Sequence, residues 1–193
     1  MLGNEGDQGI IPRAIQQIFD QSNVDDSIGI SFYEIHNEKA FDLLSTTQFK
    51  IPLALREENG GEFYLPQLKQ TWIESFQAAT NLLQLGLKTR SIGSTASNEN
   101  SSRSHAIFRI TISRMVDGKN VEAKLSLVDL AGSESVKKTN AIGDRLMEAN
   151  NINKGLLALG SCISDICVGK SHIPFRNSTL TKVLRGIHFI LFI

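Results

Sequence analysis

Several classes of protein are excluded by what this 193-residue chain has little of. It carries two cysteines, Cys162 and Cys167, on a stretch with helical spacing. A single pair makes no disulfide framework, and the spacing is not that of metal ligands, so both read as reduced thiols on a cytosolic helix. No long apolar run is present: the largest cluster, Phe189 to Ile193, falls far short of the ~20 residues that span a bilayer. The first residues do not form a basic n-region, an apolar h-region and a cleavage site. Repeats, low-complexity segments and linkers are lacking, so one mixed domain with a sizeable core is expected. Neither sign of charge prevails, with 20 Lys+Arg against 20 Asp+Glu. The acids do run out, however. The last is Asp165, and Lys170, Arg176, Lys182 and Arg185 follow without a carboxylate. A basic end on a neutral chain fits either an acidic partner surface or a solvated helix face.

What is present alternates between helical and strand periods. Pro12 suits the first position of a helix, and Ile15, Ile18 and Phe19 share a face. Ser27 to Ile35 reads as a strand with Ile28, Ile30 and Phe32 on one side. Asn37 to Leu44 reads as a short turn of helix, and Gln48 to Leu65 as a loop with short strands turning at Asn59-Gly60-Gly61. A helix over Ser75 to Thr89 precedes a polar loop, Ser91 to Ser104. Asp117-Gly118 is a hairpin signal joining the alternating run His105 to Met115, with Ala106, Phe108, Ile110 and Ile112 on one face, to Val121 to Leu130. A long helix over Gly143 to Val168 carries the core stripe Ile152, Leu156, Leu159, Ile163 and Ile166. Gly169 is its cap, and Ser178 to Leu184 is a last short helix.

The chemistry sits in two segments. NENSSRSH, Asn98 to His105, is a polar loop leading into a strand, and LVDLAGSE, Leu127 to Glu134, is a buried strand ending in an acid and a glycine loop. Strand pairing through Asp117-Gly118 would bring both loops to one sheet edge. Hydroxyls can ligate Mg²⁺ or orient water, a carboxylate can hold Mg²⁺ through water, and a glycine N–H can approach a phosphate without a Cβ clash. Arg103 and Glu134 have opposite charge and could latch the two loops together.

These segments resemble the two switch loops of kinesin motor domains, and further resemblance follows in chain order. GIIPR from Gly9 is similar to the segment opening the helix after the kinesin phosphate loop. YEIHNEK from Tyr33 resembles YxEIYNE, and NINKGLLALG from Asn151 resembles NINKSLxALG of the relay helix. HIPFRNSTLT from His172 is similar to the tubulin-facing HVPYRDSKLT. The resemblance covers about residues 9–185 and implies an α/β, partial kinesin motor fold of the P-loop NTPase class, a mostly β central sheet flanked by helices. It implies ATP and Mg²⁺ as ligands and microtubules as partner, with a cytoplasmic, microtubule-associated location that includes the spindle. Ser101 would position the lytic water and Ser102 would reach Mg²⁺. Asn98 would lie on the nucleotide side, and Arg103 would pair with Glu134. Asp129 would order the Mg²⁺ shell, and the Gly132 N–H would sense the γ-phosphate. Lys138, Arg176 and Lys182 match basic positions used on tubulin. The stretch Asn37 to Leu44 resembles somewhat the Nod- or Kid-type chromosome-associated kinesins, whose DNA-binding parts lie elsewhere, so neither a nucleic-acid site nor a membrane contact is expected in this segment.

The resemblance also implies a phosphate cradle, GxxxxGK followed by Ser or Thr, and the sequence does not contain one. Residues 1–8 match a variable loop that follows it, and residues 186–193 are a divergent apolar terminus, so the expectation is a motor segment lacking the N-terminal strands and the cradle. One near match, Ser164 to Ser171, has Ser for the first glycine and stands between a helix and a proline turn rather than a strand and a helix. Departures from the family pattern at Thr179, Asn150 and Ser135 remove positive charge, and Gly155 replaces a helical serine. The chain alone is therefore expected to have little ATPase activity. A non-catalytic microtubule-binding module, a hydrolase using Lys170, or a chain that does not fold stably are the alternatives.

Overall fold

The structure, a computed structural model, describes residues 1–4, 6–47, 50–92, 103–132 and 144–185. Among these, a six-stranded sheet forms the centre. Its order is β10 (Lys119–Asp129), β9 (His105–Val116), β3 (Ser27–His36), β4 (Lys39–Asp42), β5 (Pro52–Leu53), with β8 (Thr71–Ile73) also on β3. All these pairings are antiparallel. Two small hairpins, β1 (Gly3–Asn4) with β2 (Asp7–Gln8) and β6 (Arg56–Glu57) with β7 (Phe63–Tyr64), stand apart.

Strand alternation sorts the core into two layers. Ile28, Ile30 and Phe32 of β3, with Ala106, Phe108 and Ile110 of β9, pack on one face with residues of α1 (Ile10–Gln21) and α2 (Phe76–Ile92). Tyr33, Ile35 and Ile107 face the other way, onto Leu159 of α3 (Asp144–Cys167) and Leu180, Val183 and Leu184 of α4 (Thr179–Leu184). The result is the expected mixed α/β layering with helices on both faces of the sheet.

The elements start and stop for local reasons. α1 begins at Ile10, two residues before the expected start, so Pro12 occupies the third helical position. Its missing N–H costs nothing there because the first turn has no intrahelical acceptor to reach. Ser75 caps α2, its hydroxyl accepting from Ala78 N at 3.2 Å. α3 ends where Gly169 takes φ +70°, Gly169 N reaching Ile166 O at 3.0 Å and Lys170 N reaching Asp165 O at 3.0 Å. α4 opens with a reciprocal capping box between Ser178 and Thr181.

Three expectations are corrected. Asn37 to Leu44 is not helical: Asn37 and Glu38 take φ of 49° and 59° in a two-residue hairpin turn, and Lys39–Asp42 pairs with β3. The three-residue β8 was not expected as a strand; cross-strand pairing with Ile28–Ile30 makes it one. Ile166 is exposed instead of completing the α3 stripe, whereas Cys162, one position before Ile163, is buried.

Candidate functional site

The antiparallel register puts Asp129 opposite Ala106, so the end of β10 and the beginning of β9 meet at one edge, as the hairpin signal requires. Both strand ends are tied to the sheet by buried polar groups, and these differ on its two faces.

On the α1/α2 face the centre is Glu34, fully buried on the same side of β3 as Ile28, Ile30 and Phe32. A carboxylate there survives only if its lone pairs are occupied. Lys50 Nζ donates to Oε1 at 2.6 Å and the Ser104 hydroxyl donates to Oε2 at 3.0 Å. Arg90, in the last turn of α2 and also buried, lies with Nε 4.0 Å from Glu34 Oε2. Its planar fork spans both strand ends: Nη2 donates to Ser104 O at 2.7 Å, Nε to Ser104 Oγ at 3.3 Å, and Nη1 to Asp129 Oδ2 at 3.1 Å. One guanidinium therefore joins the residue following Arg103 to the acid closing β10.

On the α3/α4 face His105 performs the matching task. Its Nδ1 accepts the backbone N–H of Ala131 at 3.0 Å, which fixes the tautomer with the proton on Nε2. Burial is the first cause that pushes this imidazole below its ordinary value. Nearby Glu38 and Asp129 oppose that shift, and Arg90 adds to it. A neutral histidine is what the Ala131 bond requires. Glu38 is itself held, its Oε2 accepting from Thr179 N at 2.7 Å and its carbonyl from the Thr179 hydroxyl at 2.9 Å. The β3–β4 turn is thus anchored to the start of α4.

The expected site residues divide accordingly. Arg103, Asp129 and Gly132 are described: Asp129 is bound by Arg90 with its side chain half exposed, and Gly132 follows Ala131 on the surface. Asn98, Ser101, Ser102, Glu134 and Lys138 lie outside the described residues. Arg176 donates to Glu57 Oε1 at 2.5 Å, and Lys182 Nζ stands 6.0 Å from the centre of the Phe63 ring, so both basic groups rest on the β6–β7 hairpin. The near-match stretch Ser164 to Ser171 is the end of α3 and its glycine cap, and Lys170 pairs with Asp165 at 2.6 Å. It has no strand before it and no helix directly after it.

Asp129 is a hard oxygen donor at the accessible end of a strand, which suits Mg²⁺ held through water. Among the described residues no group of three or more His, Cys, Asp or Glu could hold a metal. A cation there would take most of its ligands from phosphate and water.

Arg90, Glu34, Lys50 and Ser104 were not among the residues expected at the site. Two signals were available for them: an acid on the otherwise apolar face of β3, and an arginine in the last helical turn before a polar loop.

Comparison with known proteins shows the family. A family model described as kinesin motor domain matches residues 1–187. The chain is 38% identical over 192 residues to kinesin-like protein KIN-14R of Arabidopsis thaliana, covering 96% of this chain and 18% of that protein. It is 40% identical over 193 residues to the kinesin heavy chain of Caenorhabditis elegans, covering 96% of this chain and 23% of that protein. A solved structure of a fast kinesin superposes with a TM-score of 0.81 at 37% identity, covering 96% of this chain and 54% of that one. The chain thus spans about a fifth of the length of these curated relatives. Their near-equal identities single out no subgroup. Among the described residues, no helix is long and apolar enough to cross a membrane.

Proposed function

The chain belongs to the kinesin motor-domain family, and from that premise we propose that it supplies the phosphate-sensing and filament-facing part of a microtubule motor driven by ATP hydrolysis. The observation that carries this reading is the junction of the two strand ends, where Arg90 joins Ser104 to Asp129 and His105 joins Ala131. A loop that must report a terminal phosphate needs a fixed base, and these bonds provide one on both sides.

In this reading Ser101 positions the attacking water and takes part in its proton transfer, and Ser102 reaches toward Mg²⁺ with Asn98 on the nucleotide side. Asp129 orders the Mg²⁺ water shell. The Gly132 N–H donates to the γ-phosphate, and Arg103 pairs with Glu134 to close the loops. When bound, Mg²⁺ neutralises charge on the phosphates. α3 carries the displacement of the loop before it to the filament side. Lys138, Arg176 and Lys182 meet an acidic tubulin surface, consistent with the acid-free stretch after Asp165. The setting is the cytoplasmic microtubule cytoskeleton.

The 193 residues contain no phosphate cradle, and the one near match is a helix end. The finer proposal is therefore that these residues by themselves bind microtubules but do not hydrolyse ATP. Co-sedimentation of the chain with microtubules, with and without ATP and across a salt series, tests both parts. Salt-sensitive binding that ignores nucleotide, with no phosphate release, is the expected result. Microtubule-stimulated turnover by the chain alone would refute the second part, and absence of salt-sensitive binding would refute the first.

A further inference from the structure

The turn of the β6–β7 hairpin holds the one Asn-Gly pair in the sequence, Asn59-Gly60. Both residues are exposed. The turn is closed by Gly61 N to Glu58 O at 2.9 Å and by Glu58 N to Glu62 O at 2.8 Å. Neither bond uses the Gly60 N–H. Among the described residues, neither that N–H nor the Asn59 carboxamide has a hydrogen-bond partner. Gly60 takes φ +118°, and nothing lies within 4 Å of where its Cβ would stand. An asparagine cyclises when its carboxamide is accessible, the next backbone nitrogen is unbonded and the next residue has no side chain to obstruct the approach. All three conditions meet here. The Gly60 nitrogen gives up its proton and attacks Asn59 Cγ. A Gly60 N–Cγ bond forms and the Cγ–Nδ2 bond breaks, and Nδ2 leaves as ammonia with the proton. Water then opens the succinimide at either carbonyl, giving aspartate or isoaspartate. Water is the only co-reactant, and nothing is oxidised or reduced. Other asparagines are held. Asn81 Oδ1 accepts from Gln77 Nε2 at 2.9 Å in α2, and Asn120 Oδ1 accepts from Ser113 Oγ at 2.5 Å in β10. The residues after them are the branched Leu82 and Val121.

The surroundings of the turn give the new carboxylate a consequence. Arg176 donates to Glu57 at 2.5 Å, and Lys182 Nζ stands 6.0 Å from the centre of the Phe63 ring. Arg185 lies against the turn itself. Its Nη2 is 3.4 Å from Gly60 O, its Nη1 would be 2.5 Å from a Cβ on Gly61, and its Cζ is 5.8 Å from the centre of the Phe175 ring. Among the described residues Arg185 pairs with no carboxylate. The hairpin already carries Glu57, Glu58 and Glu62. Deamidation adds a fourth acid, next to the carbonyl that Arg185 touches, and offsets one charge of the acid-free stretch. We propose that Asn59-Gly60 is a site of spontaneous deamidation, and that the carboxylate it produces weakens the attraction of the adjoining basic residues for an acidic partner surface. The second half rests on the reading of Arg176 and Lys182 as filament-facing; the first half stands without it.

The first test reads the modification alone. The full-length protein carrying these residues is held at mildly alkaline pH, and position 59 is followed by peptide mapping with mass spectrometry. Isoaspartate is counted by methylation with an isoaspartyl methyltransferase. Aspartate and isoaspartate are expected to accumulate at position 59 while Asn81 and Asn120 stay intact. The rate should rise with pH, because the attacking nitrogen must lose its proton. Asn59→Gln should abolish the methylation. Conversion at position 59 no faster than at Asn120 would overturn the proposal.

The second test is co-sedimentation with microtubules across a salt series. Fresh Asn59→Asp protein and the aged parent are both expected to lose about two- to fivefold in affinity at low salt, the scale of one exposed charge, and the difference should close at high salt. Asn59→Gln aged alongside should keep the affinity of the fresh parent. Unchanged affinity in Asn59→Asp, where binding by the parent is salt-sensitive, would overturn the charge consequence. Absence of salt-sensitive binding in the parent would instead overturn the reading of the basic end, and the peptide map then decides the modification site by itself. The two failures are therefore distinguishable.

Discussion

Two glycines inside helices give opposite predictions for the same substitution. Gly86 lies in α2 and Gly155 in α3, and helix propensity alone says that alanine at either position gains about 1 kcal/mol. The surroundings disagree. A Cβ on Gly86 would stand 2.2 Å from Phe32 Cδ1 and 2.7 Å from Cε1. Phe32 cannot turn aside: it is buried, and its ring packs edge-on against Phe108 with centroids 5.4 Å apart and planes at 75°. Relief requires the ring or α2 to move by about 1 Å, which separates α2 from Leu83's and Ala79's neighbours in the same core layer. Overpacking of this kind costs about 1–3 kcal/mol or more, so Gly86→Ala should lose about 1–2 kcal/mol net despite its better helix propensity. A Cβ on Gly155 would meet His105 Nε2 at 3.8 Å, Glu38 Oε1 at 3.9 Å and Leu180 Cβ at 4.0 Å, all ordinary contacts. Gly155→Ala should therefore gain about 0.5–1 kcal/mol. Urea unfolding followed by helical circular dichroism separates the two, with midpoints moving in opposite directions at unchanged slope. Equal stabilisation by both variants would refute the close approach of α2 to Phe32. Phe32→Leu should restore part of the loss caused by Gly86→Ala and none of the gain at Gly155.

Other consequences follow from the same contacts. Glu34→Leu removes the buried carboxylate to which Lys50 and the Ser104 hydroxyl donate and which lies 4.0 Å from Arg90 Nε, and should cost about 3–5 kcal/mol in urea unfolding, far more than Glu122→Leu on the exposed part of β10. His105 is held below its ordinary value chiefly by burial, so the unfolded chain binds a proton first as pH falls. Its contribution to stability is complete above the unfolded value near 6.5 and declines as pH drops through the lower folded value. His105→Asn should flatten that part of a Tm-against-pH curve. Asp26 is lowered to about 2, first by the Arg114 hydrogen bond and then by the bond from Asn23 N, and Arg114→Leu should move its NMR titration back toward 3.8. Ser178→Ala removes the box that opens α4 and should cost about 1 kcal/mol, visible as a lower urea midpoint.

Much of this fold is legible from local pattern, and the failures share one cause. The β9–β10 hairpin is announced by Asp117-Gly118 between alternating runs, and both its residues take positive φ, 50° and 73°. By contrast, Lys39 to Leu44 has apolar residues at 40, 41, 43 and 44, a spacing that a helix would also use, and the preceding turn is Asn-Glu rather than Asn-Gly. Pairing with β3 decides the matter, and that pairing is tertiary. β8 is three residues long, too short to show alternation, and it exists because β3 offers it an open edge. The site divides in the same way. Asp129 and Gly132 announce themselves in one continuous stretch. Glu34, Lys50, Arg90 and Ser104 are assembled across separations of 16, 14 and 70 residues, from a strand, a connection, a helix end and a loop end. Only the acid on an apolar strand face hints that such partners must exist.

The arrangement also constrains how the loop following Asp129 can move. Asp129 is bonded toward the α1/α2 face by Arg90, and two residues later the Ala131 N–H is bonded toward the α3/α4 face by His105. Lifting this segment from the sheet breaks a charge-assisted bond on one side and a buried N–H···N bond on the other. Each is worth about 1–3 kcal/mol when a partner is left unsatisfied. The groups released are not inert, since Arg90 has Glu34 4.0 Å away and His105 faces Gly155 of α3 across a space a Cβ would fill without clash. A displaced segment therefore leaves a guanidinium with an alternative acceptor on one face and an imidazole beside the long helix on the other. A methyl at Gly155 would stand 3.8 Å from His105 Nε2, an ordinary contact, so Gly155→Ala leaves the ring and its bond from Ala131 N in place. The Ala131 amide proton is therefore expected to exchange with solvent no faster in that variant, and faster exchange would show that α3 approaches the imidazole more closely than this contact.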